Sequence, residues 1–167
     1  NPSYSPIFKM KRIGQNGNQI YVYKLRTMHP YSEYLQEFVY DKNSLSEGGK
    51  FKDDFRISSW GRILRKLWID ELPMLINLVR GEIKLVGVRP VSSHYLTLYS
   101  EEFRAKRKKY KPGLIPPFYA DMPKTIEEIE ASEKKYFDLF DQSPITTDIK
   151  YFFKIISNIL FHRKTSA

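Results

Sequence analysis

Pro73 falls inside the strongest helical period of this 167-residue chain and so fixes where that helix begins. Leu72, Leu75, Ile76 and Val79 recur at i, i+3, i+4 and i+7. A proline fits only the first turn of a helix, because it lacks an N–H donor and its ring collides with the preceding turn. The helix is therefore predicted to start near Asp70 and to stop at Gly81. Asp70 and Glu71 then sit where unpaired N–H groups create a positive partial field. That field keeps an aspartate ionised, as a nucleophile or metal ligand must be, and it favours a phosphate nearby. The plainer alternative is that Asp70 caps the helix and Glu71 suits its first turn.

The rest of the chain reads as short elements around this one. Ile7-Phe8-Lys9-Met10 and Ile20-Tyr21-Val22-Tyr23 are rich in β-formers and flank the turn cluster Gly14-Gln15-Asn16-Gly17-Asn18, which predicts a β-hairpin over 7–28. A short helix after Pro30 is expected over 29–40, and a polar loop with Gly48-Gly49 over 41–54. Ser58 or Ser59 caps a helix to Leu67. Ile83-Lys84-Leu85-Val86-Gly87 is a short extended run, and 91–109 is expected to be helical and basic at its end. Lys111-Pro112-Gly113 breaks that helix, and Pro116-Pro117 keeps the next stretch irregular. Thr125 with Glu128 forms a capping box for a charged helix to about Phe140. The last helix, over 147–161, carries Ile149, Phe152, Phe153, Ile156, Ile159 and Leu160 as one stripe. At ~1.5 Å per residue it is about 22 Å long, too short to cross a bilayer. The expected fold is α+β and mostly helical, one domain over 1–167, with a small β-hairpin and amphipathic interfacial helices around a catalytic helix start.

Charge narrows the partners. Lys and Arg number 28 against 19 Asp and Glu, a net charge of +9, which points to nucleic acid, acidic lipid headgroups or a phosphorylated substrate. Cysteine is absent, so disulfides, thiolate catalysis and cysteine-bound metals are excluded. His29, His94 and His162 stand too far apart in sequence for metal-ligand spacing. On a strand, Lys24 and Arg26 share a face with their charges about 7 Å apart, which suits a diphosphate, although a solvated strand face is the plainer reading. Arg89 lies between Gly87 and Pro90, a setting that can aim an arginine into a site or merely turn the chain. Lys106-Arg107-Lys108-Lys109 reads as a solvated basic face. No RNA-recognition, KH or zinc-finger signature accompanies the charge, so nucleic acid is not the expected partner. A basic amphipathic surface on anionic lipid accounts for both the charge and the final helix.

Five blocks in register resemble the bacterial sugar transferase family. They are Phe8-Lys9-Met10-Lys11-Arg12-Ile13-Gly14 with Tyr23-Lys24-Leu25-Arg26-Thr27-Met28; Gly61-Arg62-Ile63-Leu64-Arg65-Lys66 with Asp70-Glu71-Leu72-Pro73; Gly81 to Pro90; Lys111-Pro112-Gly113-Leu114; and Asp148-Ile149-Lys150 with the closing helix. Val88 stands where the family usually has Pro, and 114–121 depart from its pattern. The resemblance implies transfer of a sugar 1-phosphate from a UDP-sugar donor to a polyprenyl phosphate acceptor with release of UMP, at the cytoplasmic face of the bacterial inner membrane. It implies Asp70 as the nucleophile that forms a phosphosugar–aspartate intermediate, and Mg²⁺ placed by Glu71 with Asp70. Lys24, Arg26 and Arg89 are implied as phosphate-binding residues, with Arg62 and Arg65 serving phosphates or headgroups. Family members carry an apolar membrane helix ahead of the hairpin, so such a segment is expected upstream of Asn1.

Overall fold

A computed structural model describes residues 5–32, 34–35, 45–46, 50–51 and 54–162. The chain opens with strands β1 (Ile7–Ile13) and β2 (Gln19–Leu25), antiparallel and in the register Ile7 opposite Leu25 through Ile13 opposite Gln19. Their turn uses left-handed Asn16 and Gly17, as the turn cluster predicts. The two-residue strands β3 (Leu45–Ser46) and β4 (Lys50–Phe51) pair with each other. The remainder of the predicted 29–40 helix and 41–54 loop lies largely outside the described residues.

Helix α1 (Ser59–Lys66) begins at Ser58, whose hydroxyl accepts from the Gly61 N–H at 3.0 Å. Leu67 ends it, and Trp68 then adopts a left-handed conformation (φ 60°), a costly state for a large side chain. Its indole packs edge-on against Tyr119, with ring centroids 5.0 Å apart. The reversal at Trp68 launches a 3₁₀ turn, Ile69–Met74, that passes into α2 (Leu75–Val79). The helix predicted from Pro73 is thus 3₁₀ over its first half. Gly81 closes it with φ 71°, as expected.

The stripe of Leu72, Leu75, Ile76 and Val79 faces outward, with Val79 89% exposed. The inward face is carried by Met74 and fully buried Asn77. Asn77 accepts from the Tyr23 N–H (3.2 Å) and donates to the Tyr21 carbonyl (2.7 Å), which docks α2 onto the hairpin. Val22, Met74 and Ile83 fill the small core between them.

Strand β5 (Lys84–Val86) pairs in parallel with β6 (Gly113–Ile115), so a crossover must join them. That crossover is two helices, α3 (Ser93–Leu96) and α4 (Glu101–Lys108), rather than the single helix expected over 91–109. Ser100 causes the break: its hydroxyl accepts from the Phe103 N–H and starts a new helix. After Pro116-Pro117 the chain forms one short helix, α5 (Phe118–Asp121), in place of the expected irregular stretch. Helix α6 (Ile126–Gln142) opens at Thr125, whose hydroxyl accepts from the Glu128 N–H, and α7 (Pro144–His162) comes after it. The main core gathers Phe103 of α4, Phe137 of α6 and Ile155 of α7 under β5. Tyr151 and Ile155 are the buried face of α7, whereas Ile149 and Phe153 from the expected stripe point outward. The final helix is therefore a core helix with an apolar outer flank. Among the described residues no helix is long and apolar enough to cross a membrane.

Asp121 ties α5 to its neighbours. Its carboxylate accepts from Ser132 of α6 and Lys154 of α7, each at 2.8 Å. Burial alone raises its pKa, but these bonds and the Lys154 charge outweigh that and hold it below the ordinary 3.8. The resulting stability is present above pH 3.8 and is lost as pH falls through the depressed folded value. Asp121→Asn is expected to cost about 1 kcal/mol at neutral pH, Lys154 being partly screened by solvent. Urea titrations should show the gap from the wild type closing in acid.

Candidate active site

The site lies where the hairpin, the 3₁₀ turn and the strap after β5 converge. Directly opposed residues of an antiparallel pair share a face, so Met10 and Val22, Phe8 and Lys24, and Arg12 and Ile20 stand on one side of the hairpin. Met10 and Val22 pack inward, and this brings Lys24 and Arg12 to the wall of a cleft. Glu71 and Trp68 line a second wall, Arg89 and Pro90 a third, and Leu114, Pro116 and Tyr119 close the cleft. Its interior space is about 40 Å³, and its mouth is open to solvent.

Its electrostatics are dominated by cations. The Lys24 ammonium is in direct contact with Glu71 Oε1. Burial pushes the Lys24 pKa down and Arg89 pushes it further; Glu71 and Asp70 oppose this without cancelling it. Arg12 is likewise lowered, by burial and then by Arg89. Arg12, Lys24 and Arg89 thus crowd one space against a single lining carboxylate. Like charges held this close are stabilised by an anion between them, and a diphosphate carries enough charge to do so.

Asp70 and Glu71 are both buried, at 4% and 8% exposure, yet they differ in position. Glu71 lines the cleft and pairs with Lys24. Asp70 is not among the lining residues; it acts electrostatically on both Lys24 and Arg65. Trp68, not Asp70, occupies the N-cap position, and its side chain makes no capping bond; Asp70 lies in the first turn.

The other sequence candidates lie around the cleft rather than in its lining. Arg26 donates from Nε to the Ser5 carbonyl (3.0 Å), and its guanidinium stacks over Phe8 at 5.0 Å. Arg26 is thus not among the residues lining the cleft, whereas Arg12 lines it together with Lys24. Arg65 donates to Thr27 Oγ1 (2.9 Å); its pKa is lowered by burial and by Arg89 and Arg56, although Asp70 and Asp54 oppose this. Arg62 is exposed on α1. Arg12 is the residue that sequence reasoning missed. Its signal was the hairpin register, which puts a cation on the same face as Met10 and Val22.

Among the described residues no group of three or more His, Asp or Glu side chains converges. Two adjacent carboxylates suit Mg²⁺, which keeps most of its shell as water and substrate phosphate oxygens and takes few protein ligands.

A family model described as bacterial sugar transferase matches residues 2–162. The chain is 40% identical over 111 residues to the uncharacterized sugar transferase EpsL of Bacillus subtilis, covering 66% of this chain and 48% of the relative. It is 37% identical over 110 residues to the UDP-glucose:undecaprenyl-phosphate glucose-1-phosphate transferase of Caulobacter vibrioides, covering 65% and 38%. It is 36% identical over 101 residues to the undecaprenyl-phosphate galactose phosphotransferase of Salmonella typhimurium, covering 58% and 21%. The chain thus spans less than half the length of these relatives.

Proposed function

The chain belongs to the bacterial sugar transferase family, and from that premise we propose that it moves a sugar 1-phosphate from a UDP-sugar to a polyprenyl phosphate, releasing UMP. The observation that carries this reading is the cleft itself. Three cations face it beside a buried carboxylate pair, which is a setting for a diphosphate next to a nucleophile.

In the first step a carboxylate oxygen of Asp70 bonds to the sugar-bearing phosphorus. The bridging P–O bond breaks, and UMP leaves with the electron pair. In the second step a polyprenyl phosphate oxygen attacks the same phosphorus and frees the Asp70 carboxylate. Two displacements let one site serve a soluble donor and then a lipid acceptor. The reading requires the donor phosphorus to meet Asp70 from the cleft side, past the lining carboxylate of Glu71. Arg12, Lys24 and Arg89 hold the phosphate oxygens and stabilise the charge on departing UMP. Glu71 fixes Lys24 among them. Glu71 and Asp70 would hold Mg²⁺ with the donor's phosphates, where it neutralises charge that otherwise repels the attacking carboxylate. UMP release from a panel of UDP-sugars, dependent on added polyprenyl phosphate, tests the reading. Release of UDP in place of UMP would refute it.

A lipid acceptor requires a lipid-facing surface, and the exposed apolar residues supply one. Trp60, Ile63 and Leu67 of the α1 region and Leu72, Leu75, Ile76 and Val79 of the next turns stand exposed, with Arg62, Lys66 and Arg80 among them. We place this face on the anionic cytoplasmic leaflet, with apolar side chains in the interface and cations at the headgroups. Leu75→Asp with Val79→Asp should weaken binding of the 167-residue chain to anionic vesicles about 100-fold, from about 3 kcal/mol of lost apolar burial. Both residues are exposed, so thermal stability should hardly change. Unchanged flotation in the double variant would move the lipid surface elsewhere, with Ile149 and Phe153 of α7 next in line.

A further inference from the structure

Arg107 belongs to a basic run that reads as a solvated face, yet it is 5% exposed and its partner Glu133 is 1% exposed. Its Nε donates to Glu133 Oε2 at 2.7 Å and its Nη2 to Oε1 at 3.3 Å. The same Nη2 donates to the backbone carbonyl of Arg89 at 2.7 Å. A buried ion pair is a poor stabiliser, since well-packed apolar residues often serve as well. What this pair does that apolar residues could not is reach a carbonyl on the strap carrying the cleft arginine.

That strap is anchored on either side of Arg89. The Gly113 N–H donates to the Val88 carbonyl (2.9 Å), and the Ile13 N–H to the Val91 carbonyl (2.9 Å). Between these points stand only Arg89 and Pro90, and proline has no N–H with which to fasten the chain. Within that short span Arg107 holds the Arg89 carbonyl. A guanidinium is suited to the task, because its planar fork grips the carboxylate and still offers a donor to the carbonyl.

We propose that Arg107, locked by Glu133, is a positioning residue that fixes the backbone at Arg89 and so aims the Arg89 guanidinium at the donor phosphates. This rests on the reading of Arg89 as a phosphate-binding residue. It predicts coupling: once Arg89 has lost its side chain, nothing remains for Arg107 to aim.

The test is a double-mutant cycle read as kcat/KM for UMP release in the full-length protein, with circular dichroism confirming the fold. Arg107→Lys alone should lower kcat/KM at least tenfold. Added to Arg89→Ala, it should cost less than a further twofold. Losses that multiply would overturn the proposal, because a merely structural role harms both backgrounds alike. Glu133→Gln provides the same cycle if Arg107→Lys does not fold, with the same coupling expected. Failure of both single variants to fold would assign the pair to stability and reject positioning. An Arg89→Ala variant of normal activity would instead refute the underlying reading of the site. A damaging Arg89→Ala with multiplicative losses would refute only the role of Arg107.

Discussion

Asp70→Asn is expected to abolish transfer while leaving the fold intact. The amide matches the carboxylate in size, so the buried position stays filled, but it cannot form an acyl phosphate with the donor. The loss should reach three powers of ten or more, about 4 kcal/mol of barrier at ~1.36 kcal/mol per decade. Glu71→Gln should also slow turnover, since it weakens the hold on Lys24. Added Mg²⁺ should restore part of that loss if Glu71 serves mainly to place the metal. The measurement is UMP release by full-length protein, with mass spectrometry for a phosphosugar adduct on Asp70. Normal activity in Asp70→Asn would sink the covalent mechanism, and an adduct on another residue would relocate it.

The second large effect is on folding. A Cβ added at Gly113 would lie 2.2 Å from the Gly87 nitrogen, 2.6 Å from its Cα and 2.8 Å from its oxygen. All three are backbone atoms, so no side chain can swing aside, and β5 must part from β6. The bond from the Gly113 N–H to the Val88 carbonyl breaks with it, and the strap beside Arg89 loses an anchor. Gly113→Ala should therefore cost about 3 kcal/mol or more, seen as a fall in Tm of about 10 °C. Gly81 provides the contrast. It has φ 71° but nothing within 4 Å of an added Cβ, so Gly81→Ala should cost only about 1 kcal/mol. Equal losses at the two positions would show that close approach at Gly113 is not the governing factor.

What could be read from the chain was local. Ser58 and Thr125 cap their helices because a hydroxyl and an N–H three residues on are neighbours in sequence. Gly81 stops the segment through covalent geometry alone, and Pro73 is accommodated within the 3₁₀ turn that opens it. Ser100 was equally local, and its cap could have divided 91–109 into two helices. The failures were matters of direction and partner. The 3.6-residue period of Leu72, Leu75, Ile76 and Val79 identifies a face but not which side it turns; Asn77 on the opposite side proved to be the buried one. The stripe of α7 misleads in the same way, since Tyr151 and Ile155 face the core. Arg107 could not be told from Lys106 or Lys108 without Glu133, which lies 26 residues away and folds onto it from another helix. At the site, the central pair of carboxylates and two of the cleft cations, Lys24 and Arg89, were legible. Arg12 needed the strand register, which no local pattern supplies.

The fastenings of the cleft also set an order in time. Lys24 reaches its carboxylate across 47 residues, Arg107 across 26 and Lys84 of β5 across 64, to Asp148 of α7. As the chain leaves the ribosome, the hairpin and the Asp70 turn emerge early and can meet. The strap of Arg89 emerges next, but its clamp waits for α6, and the latch on β5 waits for α7. On the proposed reading, the attacking carboxylate is thus made before the group that would hold the donor is secured, and the site matures from its centre outward.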